Sequence, residues 1–197
     1  MGREVCCADS GGQGLPVIFH ETALKGAYVI EPERKEDERG FFARTWCQRE
    51  FESKGLRAVW VQSSISRNRC KGTLRGMHYQ IAPHEEIKVV RCTSGSMYDV
   101  IIDLRRHSPT YLKHIDVELS SSNLRMLYIP EGFAHGYQTL DDDTEVLYLM
   151  TAFYAPESAR GVRWSDPLFD IRWPEDDRII SERDQSYPDF IPEGGKQ

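Results

Sequence analysis

From residue 58 to residue 154 the chain is a succession of short apolar runs broken by Gly, Pro, Asn, Asp and Ser. The runs fall at 59–66, 73–80, 87–92, 96–104, 111–119, 126–129, 136–140 and 145–154, with breaks such as Ser94-Gly95-Ser96, Ser108-Pro109 and Asp141-Asp142-Asp143 between them. Each reads as a strand. Within 96–104, Tyr98, Val100, Ile102 and Leu104 alternate with Asp99 and Asp103, the period of a strand buried on one face. Many short strands at this spacing predict an all-β sandwich or barrel and exclude a helix-rich middle.

The flanks read differently. Residues 1–16 are polar and Gly-rich and predict a loose arm. Structure is expected from Val17, with a strand at 25–30, a charged loop at 32–39 and a strand begun by Gly40, Phe41 and Phe42. Residues 47–54 enclose Phe51 and stop at Gly55, which predicts one short helix. After Pro156 the period fails, and Trp164, Phe169 and Trp173 are expected to pack onto the body as irregular structure, with a short helix around Glu182. The expected organisation is therefore an arm (1–16), a single domain (17–188) and a frayed tail (189–197).

A length of 197 residues supports one substantial core. With 25 basic against 31 acidic residues the net charge is -6, which argues against a general nucleic-acid or acidic-membrane binder. No apolar run reaches the ~18 residues of a membrane span, and the first twenty residues lack a signal-peptide core, so a cytoplasmic protein is expected. Five cysteines with no CxxC spacing suit free thiols, with Cys92 as a small core residue and Cys6-Cys7 an accident of the arm.

Candidate chemistry gathers at Gly72 to Arg91, GTLRGMHYQIAPHEEIKVVR. Arg75, His78 and Lys88 fall on two neighbouring strands, and burying such groups at a cavity suits an anionic ligand. Arg75 and His78 are an odd number of residues apart and would face opposite sides of a regular strand, so a bulge at Gly76 is expected. A second stretch, YIPEGFAHGYQTL (128–140), sets Pro130, Gly132 and His135 in a spacing similar to the second motif of cupins. The first cupin motif would need a second histidine beside His78, where Tyr79 and Gln80 stand, so a metal site would have to recruit Glu85 or His84. On local grounds alone, His78 also reads as a satisfied core histidine, Tyr148 as a core tyrosine and Asp184 as an exposed charge.

Taken together, DERGFF (37–42), LRGMHYQ (74–80), KVVRC (88–92), IPEGFAHGYQTL (129–140), WSDP (164–167) and IRWP (171–174) resemble the dTDP-4-dehydrorhamnose 3,5-epimerase family. The resemblance implies a cupin-like jelly roll (a double-stranded β-helix) without metal or other cofactor, assembled as a homodimer. It implies inversion at the carbons flanking the C4 ketone of a nucleoside-diphosphate 4-keto-6-deoxy sugar. Carried over by position, His78 matches the base, Asp184 its carboxylate partner, Tyr148 the acid on the opposite face and Lys88 the cation at the ketone. His135 matches a sugar-site residue, Arg39 and Arg75 the diphosphate arginines, Gln62 a nucleotide-site residue, and Tyr154 the aromatic that stacks on the base. Arg183 stands where lysine is usual. Arg44, Ser64 and Ala159 depart from the glutamate, asparagine and glutamate common at their positions near the nucleotide. The alternatives are a single-site C3 or C5 epimerase or a GDP- or CDP-sugar substrate. From other classes come a metal-dependent cupin using His78, Glu85 or Glu86 and His135, and a silent sugar-nucleotide binding module.

Overall fold

The computed structural model describes residues 15–192. In chain order the elements are β1 (Val17–Glu21), β2 (Tyr28–Pro32), β3 (Arg34–Asp37), β4 (Gly40–Ala43), α1 (Gln48–Ser53), β5 (Gln62–Asn68), β6 (Thr73–Gln80) and β7 (Lys88–Ser94). They continue as β8 (Ser96–Asp103), β9 (His114–Ser120), β10 (Met126–Ile129), β11 (Phe133–Thr139), β12 (Thr144–Met150), β13 (Ala159–Gly161), β14 (Ile179–Ile180) and α2 (Glu182–Gln185). One six-stranded sheet runs β1-β2-β10-β7-β12-β5; the second runs β13-β6-β11-β8-β9, with β14 added in parallel to β6. Neighbours distant in sequence, β10 beside β7 and β11 beside β6, give the crossed-over order of a jelly roll.

Three apolar clusters hold these layers. Val90, Cys92, Leu127 and Val146 of the first sheet meet Met97, Ile101, Leu119 and Tyr137 of the second, forming the core between the sheets. On the outer face of the first sheet, Phe51 of α1 is fully buried against Ile30, Val89 and Tyr128. Burying one such ring contributes about 1.5–3 kcal/mol, which explains why a six-residue helix is kept there. On the outer face of the second sheet, Val162, Phe169 and Trp173 cover Leu74, Met77, Val100 and Ile102. The irregular C-terminal segment is thus the missing third layer, as its aromatic spacing suggests.

That cover changes the reading of 96–104. Alternation predicted one solvated face, but β8 is buried on both, with Asp99 and Asp103 fully inside. Asp103 is satisfied by Arg105, Ser108 and Thr110, while Asp99 faces His135. The charged stretch 32–39 is also more ordered than a loop, since β3 pairs with β4 from Arg34↔Ala43 to Asp37↔Gly40. Strand 111–119 starts later than expected, at His114, because Leu112 turns the chain at φ 63°. At Asp189, where the sequence places the start of the tail, the chain is still held: its carboxylate pairs with Arg163 at 2.8 Å and the Phe190 N–H reaches Asp166. Most of the N-terminal arm, with Cys6 and Cys7, and residues 193–197 lie outside the described residues. Cys47, Cys70 and Cys92 are free thiols, and burial pushes the Cys92 thiol up to about 11. Among the described residues no helix is long and apolar enough to cross a membrane.

Candidate active site

The site begins with a fault in one strand pair. Between β11 and β6, His135 stands opposite His78 and Tyr137 opposite Arg75, so two steps on β11 match three on β6. The extra residue is the bulge expected at Gly76, and it turns Arg75 and His78 to the same side. Gly76 lies at φ 133°, and a Cβ there would sit 2.5 Å from the Gly136 Cα, so the two backbones touch where any side chain would part them.

Both residues face a cavity of about 330 Å³ between the sheets. Arg75, His78 and His135 come from the second sheet, and Ser64, Lys88 and Tyr148 stand across from them on the first. Tyr148 pairs with Val90 and Ser64, and Lys88 with Met150, so they occupy one wall by register.

Each group has a defined partner. His78 Nε2 is 2.7 Å from Asp184 Oδ1, and Asp184 Oδ2 accepts from the Gly76 N–H at 3.3 Å. Ser181 caps α2 by accepting from the Asp184 N–H at 3.1 Å, which fixes the carboxylate's position on the helix. Asp184 is therefore buried rather than the exposed charge its local sequence suggests. Burial works against its charge, yet the His78 imidazole, the Gly76 N–H and the Ser181 hydroxyl together hold its carboxyl below the ordinary range.

Opposite, burial, the Tyr137 hydroxyl and the negative charge of Asp99 raise the Tyr148 phenol well above its usual value, so it is a held proton at neutral pH. Its ring meets His135 edge-on at 6.2 Å, and His135 Nε2 lies 2.6 Å from Asp99. The Lys88 ammonium is 2.9 Å from Glu86, both side chains nearly buried. Arg75 Nε donates to Asn68 at 2.8 Å.

At the mouth, Tyr154 and Arg183 line the cavity, and Gln62 stands behind Tyr154, accepting its N–H at 2.7 Å. Ser64 and Ala159 are also in the wall. Arg39 and Arg44 do not line it. Arg39 follows β3 at the tip of the β3–β4 hairpin and holds Asp37, and Arg44 pairs with Glu50 at 3.1 Å. Among the described residues no three His, Cys, Asp or Glu side chains converge as metal ligands, so His78, Glu85 or Glu86 and His135 do not form the set a cupin metal would need.

Several residues at the site escaped the sequence reading. Asp99 was visible as a polar position in β8 but was assigned to solvent. Glu86, two residues before Lys88, carried only the charge of its loop. Tyr137 and Tyr187 gave no local signal; the Tyr187 ring lies 5.8 Å from the His78 ring.

The arrangement offers a hydrogen-bonded histidine and a protonated tyrosine on opposed walls, with Lys88, Arg75 and Arg183 in the same lining. That equipment suits proton removal and return on an anionic substrate. A sequence profile for dTDP-4-dehydrorhamnose 3,5-epimerase matches residues 21–191. The chain is 40% identical to a dTDP-4-dehydrorhamnose 3,5-epimerase of Shigella flexneri over 172 residues, 87% of this chain and 94% of that one. It is similar to the crystal structure of a dTDP-4-dehydrorhamnose 3,5-epimerase from Bacillus anthracis with TDP and pyrophosphate bound, at 35% identity and TM-score 0.86, covering 89% of this chain and 100% of that one. A dTDP-6-deoxy-D-glucose-3,5-epimerase from Legionella pneumophila, solved with dTDP-4-keto-L-rhamnose, is 34% identical at TM-score 0.83 and covers 88% and 93%.

Proposed function

Because the chain belongs to the dTDP-4-dehydrorhamnose 3,5-epimerase family, we propose that His78 and Tyr148 work from opposite walls of its cavity as the base and the acid of the epimerisation. It is an isomerase acting on a dTDP-linked 4-keto-6-deoxy sugar. The C4 ketone acidifies the C–H bonds at C3 and C5, so proton transfers alone complete each inversion. His78 takes the proton; with Nε2 engaged by Asp184, Nδ1 is the nitrogen left to receive it. The ionised Asp184 then faces the imidazolium and lowers its energy. Charge moves onto the C4 oxygen, where the Lys88 ammonium, held by its ion pair with Glu86, stabilises the enolate. Tyr148 returns a proton from the other side, which inverts the carbon. Arg75 and Arg183 hold the diphosphate end, and Tyr154 stacks on the base.

The observation that carries this reading is the placement of His78 and Tyr148 on facing sheets of one cavity. A silent binding module needs no such opposition. The experiment is proton NMR of the protein with dTDP-4-keto-6-deoxy-glucose in D2O. Deuterium is expected at both C3 and C5; incorporation at one carbon would make it a single-site epimerase, and none at either would overturn the proposal.

We further propose a homodimer. The β3–β4 hairpin belongs to neither large sheet, and Phe41 and Phe42 on it are 52% and 69% exposed. Docked on a second copy, this hairpin would carry Arg39 and Arg44 toward that copy's nucleotide pocket, which explains why they stand away from their own. Light scattering is expected to give twice the chain mass of 22.7 kDa. A monomer at micromolar concentration would refute it.

A further inference from the structure

Tyr187 lies just beyond α2, and its place in the site is built rather than incidental. In the β13–β6 register Gly161 stands directly opposite His78. A Cβ on Gly161 would fall 2.4–2.5 Å from three carbons of the Tyr187 ring, so the ring lies flat on bare backbone beside the histidine. From there it meets the imidazole edge-on, 5.8 Å between centroids at 69°. The chain after it is tied to the body by the Arg163 N–H donating to the Pro188 carbonyl at 3.1 Å. Its hydroxyl accepts from Arg183 Nε at 2.9 Å, and the Arg183 guanidinium sits 5.9 Å from its ring centroid. Arg183 lines the cavity together with Tyr154.

We propose that Tyr187 is a positioning residue with two separable tasks: its ring seats the His78 imidazole, and its hydroxyl holds Arg183 across the cavity mouth. The proposal rests on the roles given above to His78 and Arg183. The geometry assigns the tasks to different atoms. Asp184 restrains His78 at one ring nitrogen only, and a ring pivoting on a single hydrogen bond needs a second contact to keep its free nitrogen aimed. Arg183 is an exposed side chain, and fixing it before substrate arrives lowers the entropy lost on binding.

The test separates the tasks by substitution. Tyr187→Phe keeps the ring and is expected to raise KM for dTDP-4-keto-6-deoxy-glucose about three- to tenfold with kcat within about twofold. Tyr187→Ala removes both and is expected to lower kcat by a further factor of about ten. NMR of the His78 Cε1–H supplies a readout that does not depend on turnover. Its resonance and titration midpoint should move in Tyr187→Ala and stay in place in Tyr187→Phe. If neither variant moves that resonance, or if both lose kcat equally with KM unchanged, Tyr187 is only packing and the proposal is overturned. A wild type that fails to exchange deuterium would instead strike at the epimerase reading, and the histidine resonance would still decide the ring's task.

Discussion

His78→Ala is expected to slow deuterium exchange at both C3 and C5 by about 100- to 10,000-fold, the range removed with a general base. Affinity for dTDP should be nearly unchanged, because the diphosphate and base are assigned to Arg75, Arg183 and Tyr154. The fold should survive as well. Asp184 loses the imidazole but keeps the Gly76 N–H and the Ser181 hydroxyl, so the cost is about 1–3 kcal/mol, that of a partly unsatisfied buried acceptor. Thermal melting, dTDP calorimetry and exchange by NMR on one preparation check all three. Appreciable residual exchange with normal dTDP binding would remove His78 from the role of base. The pH dependence has a defined sign. The folded-state pKa of Asp184 is depressed, so the pair's contribution to stability is present above the unfolded carboxyl value of about 4 and is lost as pH falls through the folded one. Asp184 thus stays ionised across the neutral range, and it does not supply the acid limb of activity there.

Tyr148→Phe separates the two halves of the reaction. Without the hydroxyl, His78 still removes and returns protons on its own side, so exchange should fall by less than about tenfold while inverted product falls about 100- to 1,000-fold. The raised phenol pKa makes this the expected asymmetry, since the group holds its proton until an enolate draws it away. Ring contacts with His135 remain, so the cavity wall should keep its shape. Following both quantities in one NMR time course checks it. Equal losses in exchange and product would mean that Tyr148 supports the site without donating.

The strands of the middle of the chain were legible because their breaks are chemically plain, and Gly76 announced its bulge through the mismatch between Arg75 and His78. Other features depended on neighbours that no window contains. The Asp99 side of β8 reads as solvated because alternation marks polarity, and only the pairing with β11, with Tyr137 opposite Asp99 and His135 opposite Ile101, reveals that the His135 ring reaches Asp99 on that face. Asp184 lies 106 residues from the histidine it serves, in a stretch that looks like surface, and it was placed by motif resemblance alone. Tyr187 had no such help: its partner signal is a missing side chain at Gly161. Arg39 and Arg44 show the opposite limit, since the resemblance sets both positions near the nucleotide, Arg44 in place of the usual glutamate, while a single chain leaves them outside the cavity.

The order in which the site is written along the chain has a consequence for its biosynthesis. His78, Lys88, His135 and Tyr148 are all made before residue 151, and every strand of the first sheet is complete by then. Asp184 and Arg183 come on the last helix, after β14 has closed onto β6. A nascent chain that has already folded its sandwich therefore carries a histidine without its counter-charge. The catalytic pair is thus completed only by the last helix, and a chain cut before Asp184 would keep His78 and Tyr148 on their strands with no carboxylate to drive the proton.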